Sequence, residues 1–323
     1  MKPLSRTADW SSGPPVVALG GGHGLAASLR ALRRITDSVT AVVGVSDDGG
    51  SSGRIRRELG LMPPGDLRMA LAALCGDDTW GRTWSRVLQH RFKGEGDLSG
   101  HAVGNLLISA LWEETGDVVA GLDRVAALLE AQGRVLPVAR EPVDLIAEVR
   151  GVDGSDTITT LRGQVDIATT TGEVMSLRID PPDPQPCLPV VEAIGTARMV
   201  VLGPGSWFTS VLPHLYVRPV HDALLATSAT RVLVINVTAQ EGETTGFTPA
   251  RYLQNLRDTF PDIRVDAVIV DPSSVRDEQS LLEASRALGA QLVIEEVRAV
   301  EGGSPGGVHD TLLLASVFQR ILD

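Results

Sequence analysis

The stretch Pro15-Val16-Val17-Ala18-Leu19-Gly20-Gly21-Gly22-His23-Gly24-Leu25 decides the fold. A short apolar run enters a cluster of glycines, and Leu25, Leu29 and Leu32 then recur at helical spacing. Val39–Val45 is a second apolar, β-branched run, and it ends in Ser46-Asp47-Asp48-Gly49-Gly50-Ser51-Ser52-Gly53. Strand, glycine turn, helix and strand make one βαβ unit. Strands that are apolar on both faces belong to a parallel sheet covered by helices on either side. The expectation is a Rossmann-like three-layer α/β/α domain with a mostly parallel sheet over residues 15–323, after a flexible N-terminus at 1–14.

Further along, the pattern from Pro64 to Gly133 predicts a helical segment, with apolar stripes at Val103, Leu106, Leu107, Ala110, Leu111 and at Val118, Leu122, Val125, Leu129. About residues 143–186, Thr/Val/Ile segments broken by Gly154, Gly163 and Gly172 predict a small β-hairpin insertion, left through a stiff linker, Pro181–Pro186. The α/β alternation then returns. Met199–Leu202, Val232–Val237, Val265–Val270 and Leu292–Ile294 read as strands, and Leu253–Asp258, Leu281–Leu288 and Thr311–Leu322 as helices. Gly302–Gly307 reads as a flexible approach to the last helix, where Asp310 or Thr311 is the natural N-cap. Thr311 is a candidate phosphorylation site there, since a phosphate suits a helix N-terminus; its plainer role is part of the cap.

The formal charge of −11 argues against a nucleic-acid partner, which requires a basic face. Cys75 and Cys187 are far apart and show no zinc or disulfide spacing, so both read as core residues of a reducing compartment. No apolar run approaches membrane-span length and Met1–Gly13 lacks a signal-peptide core, so a cytoplasmic protein is expected.

The candidate chemistry lies in the glycine loops. A strand–glycine–helix turn aims free N–H groups and the positive end of the helix dipole at one point, which suits a phosphate. Gly20 and Gly22 fit the dinucleotide fingerprint G-x-G-x-x-G, but Leu25 takes its third glycine position. Asp47 falls 23 positions after Gly24, near the place of a ribose-binding acid. Asp48-Gly49-Gly50-Ser51-Ser52-Gly53-Arg54 adds backbone donors, hydroxyls and a guanidinium for a phosphate, and its carboxylates suit a ribose hydroxyl or hydrated Mg²⁺. The plainer reading of the two aspartates is a helix cap. Gly203-Pro204-Gly205-Ser206-Trp207-Phe208-Thr209-Ser210 again follows a strand, and Gln240–Gly246 follows another. In an open α/β sheet such loops converge at the crevice where the strand order reverses. His101 and Asn105 open an apolar helix and read first as cap or core groups. Trp80, Trp84, Val87 and Leu88, beside Arg82, Arg86, Arg91 and Lys93, read as a packed surface helix. No nucleophile–base arrangement stands out.

Gly20-Gly21-Gly22-His23-Gly24, Ser46–Gly53, Pro63-Pro64-Gly65-Asp66-Leu67-Arg68, Gly100-His101-Ala102-Val103-Gly104-Asn105, Gly203-Pro204-Gly205-Ser206 and His309-Asp310 occur in this order over nearly the whole chain. Together they resemble the gluconeogenesis factor family (YvcK-like), whose enzymatic cousins are the 2-phospho-L-lactate transferases (CofD-like) of deazaflavin cofactor biosynthesis. The resemblance implies a Rossmann-like core with an inserted subdomain. It also implies binding of UDP-sugars such as UDP-N-acetylglucosamine, and a role in cell shape and peptidoglycan synthesis on gluconeogenic carbon sources. No cofactor is then required and no reaction is implied. The implied ligand site comprises Gly20, Gly21, Gly22, His23, Gly24, Ser46, Asp47, Asp48, Gly49, Gly50, Ser51, Ser52, Arg54, Gly65, Asp66, His101, Asn105, Gly203, Gly205, Ser206, Thr209, Ser210, Glu243 and Thr244. The transferase cousins instead imply a guanosine diphosphate carrier and Mg²⁺, with Asp47 and Asp48 as metal ligands. Two positions depart from the family pattern: His23, where relatives often have Thr, and Val308, where some carry a basic residue. An NAD-binding protein is the third reading, opposed by Leu25. Candidate protein partners are a cell-wall synthesis protein, a Ser/Thr kinase and a second copy of the chain.

Overall fold

The structure, a computed structural model, describes residues 13–152, 154–301 and 304–323. The flexible segment expected at 1–14 lies outside them except for Gly13 and Pro14, and Gly302 and Gly303 lie outside as well. In chain order the strands are β1 (Val16–Gly20), β2 (Val39–Val43), β3 (Arg134–Pro137), β4 (Asp144–Arg150), β5 (Ile158–Arg162), β6 (Glu173–Asp180), β7 (Met199–Leu202), β8 (Thr230–Val234), β9 (Ala267–Val270), β10 (Gln291–Ile294), β11 (Arg298–Glu301) and β12 (Ser304–His309).

Seven of them form one sheet in the order β10-β9-β8-β7-β1-β2-β3. Every pairing in it is parallel. The expected three-layer architecture follows directly. Val16–Leu19, Val42, Val43 and Met199–Val201 are buried on both faces, so each strand needs helices above and below it. From β1 the chain builds outward through β2 and β3, then returns to the other side of β1 with β7 and builds outward again. The strand order therefore reverses between β1 and β7, and their carboxyl ends open a crevice there.

Between β2 and β3 the expected helical segment resolves into helices Gly65–Leu74, Thr79–Gln89, Val103–Thr115 and Val118–Leu129, preceded by Gly50–Leu59. The insertion is larger than a hairpin. It is a three-stranded antiparallel sheet, β5-β4-β6, with a one-turn helix, Gln164–Ala168, between β5 and β6. On the central strand β4, Leu145, Ala147 and Val149 point inward, whereas β5 is almost wholly exposed and shows no alternation to read. The Pro181–Pro186 stretch is not a free linker, because Arg140 N–H donates to the Gln185 carbonyl at 2.9 Å.

Three further elements depart from the sequence reading. β3 is only four residues long and too short to announce itself. β8 starts at Thr230 and ends at Val234, leaving Ile235–Val237 beyond the strand proper. In place of a flexible approach, Ser304–His309 pairs antiparallel with β11. The last helix, Thr311–Leu322, has the expected bounds. Asp310 is its N-cap, accepting from Leu312 N–H at 2.7 Å and Leu313 N–H at 3.0 Å, and Thr311 occupies the first helical position. Asp310→Ala strips two orphan donors of their acceptor. A urea titration is expected to show a loss of about 1 kcal/mol with an unchanged m-value.

Candidate functional site

The turns after β1 and β7 meet across the crevice with almost no side chain between them. Gly22 has φ +57 and opens helix Gly22–Leu32, while Gly203 and Gly205 have φ of +74 and +148. A Cβ on Gly24 would lie 2.2 Å from the Pro204 carbonyl oxygen and 2.7 Å from the Gly205 Cα, so only glycine fits. Ser28 Oγ donates to the Gly203 carbonyl at 2.9 Å. Asn236, just past β8, grips Gly205 from the other side, accepting from its N–H at 2.9 Å and donating to its carbonyl at 2.8 Å. After Ser206 the chain makes a π-type turn, Trp207–Val211, which buries Thr209 and Ser210.

The turn after β2 closes the third side. Asp47 Oδ1 accepts from Gly49 N–H at 3.0 Å, and Gly50, with φ +43, has open space where a Cβ would sit. Helix Gly50–Leu59 starts here with no side-chain cap. Beside it, a Cβ on Gly65 would lie 2.4 Å from both Asp47 Oδ2 and Ser52 Oγ. That glycine lets helix Gly65–Leu74 come close enough to aim Asp66 at the first turn. A Cβ on Gly21 would stand 2.4 Å from Asp66 Oδ2, and one on Gly22 would stand 4.0 Å from Asp66 Oδ1. Burial, and then the nearby Asp47 charge, push the Asp66 carboxyl up to about 7, against the pull of Gly22 N–H and Arg68.

Glu243 plays the matching part at the second turn. It is 3% exposed, and its Oε1 accepts from Ser206 Oγ at 2.7 Å and from Phe208 N–H at 3.4 Å. Burial pushes it up to about 7 despite those donors, and its Oε2 is buried without a partner. Thr244, on the same loop, is turned inward and bonds only its own turn through Gln240.

Ser51, His101 and Asn105 form one buried cluster. Ser51 Oγ lies 2.9 Å from His101 Nδ1 and accepts from Asn105 Nδ2 at 3.0 Å and Ala102 N–H at 3.4 Å. Both oxygen lone pairs are then taken, so the hydroxyl proton points at His101 Nδ1, and His101 is neutral with its proton on Nε2. Burial, with Arg54 and Arg91 nearby, lowers the His101 pKa in agreement. At 4% exposure Ser51 is a pin between the turn after β2 and helix Val103–Thr115, not an accessible nucleophile.

Four of the expected residues lie away from a common centre: Thr244, whose hydroxyl bonds Gln240 of its own loop, and the three that follow. Arg54 is committed to the carbonyls of Asp97 and Ser99 and to Glu58. Asp48 Oδ1 accepts from Val165 N–H at 3.1 Å, at the head of the insertion's short helix. His23 is exposed on the first helical turn. The remainder, Gly20–Gly22, Gly24, Ser46, Asp47, Gly49–Ser52, Gly65, Asp66, His101, Asn105, Gly203, Gly205, Ser206, Thr209, Ser210 and Glu243, belongs to the three converging turns or directly supports them.

Sequence reasoning missed Asn236, Arg68 and the insertion helix. The first signal was a lone amide ending the apolar run Val232–Ile235, and the second a single arginine inside the apolar helix Gly65–Leu74. Arg68 is 4% exposed, donates to Gln89 Oε1 at 2.7 Å, and passes so close to Gly104 that a Cβ there would lie 2.7 Å from its Cγ. The insertion helix has no such signal. Besides the Asp48 contact, its Gln164 Nε2 donates to the Thr209 carbonyl at 3.4 Å, and Gly242 passes under the Ala168 carbonyl.

Comparison with known proteins decides the family. The chain is 48% identical over 312 residues to a Mycobacterium leprae protein provisionally named gluconeogenesis factor, covering 96% of this chain and 86% of that protein. It is 35% identical over 292 residues to the gluconeogenesis factor of Bacillus subtilis, covering 89% of this chain and 88% of that one. This chain belongs to the gluconeogenesis factor family. Residues 16–301 also match the family model described as 2-phospho-L-lactate transferase CofD. A crystal structure of a UPF0052 family member from Bacillus halodurans shares the fold at 33% identity, with a TM-score of 0.83 over 94% of this chain and 98% of that one. Asp47 and Asp48 turn to different partners, and no group of three Asp, Glu, His or Cys side chains assembles among the described residues.

Two carboxyls held near 7 have a stability consequence. A raised folded-state pKa contributes stability that is full below the ordinary carboxylate range and lost as pH rises through about 7. The buried His214 and His309, lowered to about 4, act oppositely and only below the usual imidazole range. The informative quantity is therefore a difference between proteins. The Asp66→Asn, Glu243→Gln double variant is expected to gain Tm over the unaltered protein progressively from pH 5 to pH 8, without ligand. A constant Tm difference across that range in calorimetry refutes the assignment.

Proposed function

We propose that this gluconeogenesis factor is a non-enzymatic regulator that binds a nucleoside diphosphate sugar of the UDP-sugar type in the crevice between β1 and β7. The observation that carries the reading is the glycine-rich turn Gly49–Ser52 beside Asp47, at the carboxyl end of β2 next to the β1–β7 switch point of a parallel sheet. Free N–H groups suit the diphosphate, and an acid at the end of the second strand suits ribose hydroxyls. NAD fits less well, because Leu25 stands at the third fingerprint position and is 1% exposed in the core. The cell-shape and peptidoglycan role proposed with this ligand makes the protein a sensor of wall precursor supply, with a cell-wall synthesis protein downstream.

The match to the transferase family model favours one second reading, a Mg²⁺-dependent phospholactyl or phosphoryl transferase. A thermal-shift panel of UDP-N-acetylglucosamine, UDP-glucose, GDP and NAD, each with Mg²⁺ or EDTA, separates the two. A UDP-sugar at a hundredfold its Kd is expected to add about 2.7 kcal/mol of apparent stability, in Mg²⁺ and EDTA alike. Gly22→Val, which forces a branched residue into φ +57, is expected to abolish that shift. Stabilisation by GDP alone and only with Mg²⁺ transfers the assignment to the second reading.

Regulation through a Ser/Thr kinase at Thr311 is part of the proposal. Thr311 is partly buried and sits at the first helical position, with the Asp310 carboxylate already on the helix head. An added phosphate meets that like charge at the local cap. Thr311→Ala and Thr311→Glu proteins are expected to bind the UDP-sugar equally and to differ in complementing a cell-shape defect. Equal complementation leaves Thr311 a cap residue.

A further inference from the structure

We infer that Asp66 is an internal competitor for the anion seat of the first glycine turn, so that the crevice admits a diphosphate there only once that carboxylate is displaced or neutralised. The inference rests on the nucleotide reading and makes Asp66 a determinant of which anions are accepted.

The head of the helix that follows β1 is where a parallel α/β domain ordinarily receives phosphate, because its first N–H groups are unpaired and the helix dipole is positive. In this chain the head is occupied. Asp66 stands against Gly21 and Gly22, its Oδ2 2.4 Å from where a Cβ on Gly21 would sit and its Oδ1 4.0 Å from one on Gly22, and Ser210 Oγ would lie 3.4 Å from a Cβ on Gly21. The carboxylate comes from another element altogether, helix Gly65–Leu74, and Gly65 brings it close by nesting against Asp47 and Ser52. The charged groups facing Asp66 are Asp47 from the turn after β2 and Arg68 from its own helix.

The second turn repeats the arrangement. Glu243, reaching over from the loop after β8, takes Phe208 N–H and Ser206 Oγ, and its other oxygen is buried with no partner. Each of the three turns facing the crevice therefore has a protein carboxylate beside it: Asp66 against the first, Glu243 on the second and Asp47 on the Gly49 N–H of the third. Stability does not account for this. A like-charged neighbour and burial both oppose ionised Asp66, so the folded protein bears a cost for keeping it there. Selectivity does account for it. A small anion such as inorganic phosphate or pyrophosphate gains too little elsewhere to overcome the repulsion, whereas a larger nucleotide can use its remaining contacts to displace the carboxylate.

The test is titration calorimetry with inorganic pyrophosphate and with UDP, at pH 8 in EDTA-containing buffer, on the full chain. Asp66→Asn keeps the shape and removes the charge; Asp66→Ser guards against a variant that fails to fold, checked by thermal melting. Both variants are expected to bind pyrophosphate at least about tenfold more tightly than the unaltered protein, and UDP in the same direction. Equal or weaker pyrophosphate binding by both folded variants overturns the inference, and so does the absence of any pyrophosphate binding. The nucleotide-sugar reading fails separately. If the variants gain pyrophosphate affinity while no form binds a UDP-sugar, the seat is confirmed and the ligand class is wrong. If a UDP-sugar binds and neither variant improves on pyrophosphate, the ligand class stands and Asp66 is no competitor.

Discussion

Between β1 and β7 the protein brings two backbones closer than any side chain allows, with Gly24 lying against the Pro204 carbonyl and Gly205. Neither turn could hold that approach alone, and the neighbouring groups can be understood as responses to it. Ser28 reaches up from the first helix to the Gly203 carbonyl, and Asn236 holds Gly205 by both its N–H and its carbonyl. The amide of Asn236 substitutes for a strand partner at the point where the sheet has ended. With the two turns fixed, the remaining loops have a rigid rim to pack on, and a ligand crossing that rim meets a surface that is mostly main chain.

Close main-chain approach exposes N–H groups at helix heads, and buried N–H groups need acceptors. Glu243 supplies one at the second turn and the Asp47 side chain another for Gly49, while Asp66 stands against Gly21 at the first. The insertion is bound into the same accounting, since Asp48 receives the Val165 N–H and Thr209 receives Gln164. The five-residue helix Gln164–Ala168 thereby touches the turns after β2 and β7 and the loop after β8. Movement in any of them changes how the inserted sheet is seated.

Much of this was readable in the sequence, for reasons that differ by element. The glycine turns were legible because tight main-chain contact leaves no alternative residue, and the parallel strands because burial on both faces demands continuous apolar runs. The motif containing Asp66 was legible only as a resemblance, since nothing in its spacing reveals where the carboxylate turns, whereas His101 and Asn105 read from their place at the head of an apolar helix as the cap or core groups they are. Arg54 and Asp48 carried the right chemistry for a ligand and proved committed to other groups, a choice decided by tertiary geometry. β5 was hidden because its exposed residues show no alternation, and β12 because Pro305, Gly306 and Gly307 read as loop. Asn236 and Arg68 did leave a trace, each as a single polar residue interrupting an apolar run.

The pairing of β1 with β7 joins Val16 to Met199, with the helical segment, β2, β3 and the whole insertion lying between them in the chain. Loop closure over such a span is slow, and contacts of this separation form after local ones. During synthesis β1 and β2 can pair early, while the other edge of β1 waits for more than half the protein to be made. The crevice is therefore a late event in the life of each molecule. Until β7 arrives, a fully buried strand of the domain presents an unpaired edge, and quality control in the cell has its longest opportunity there.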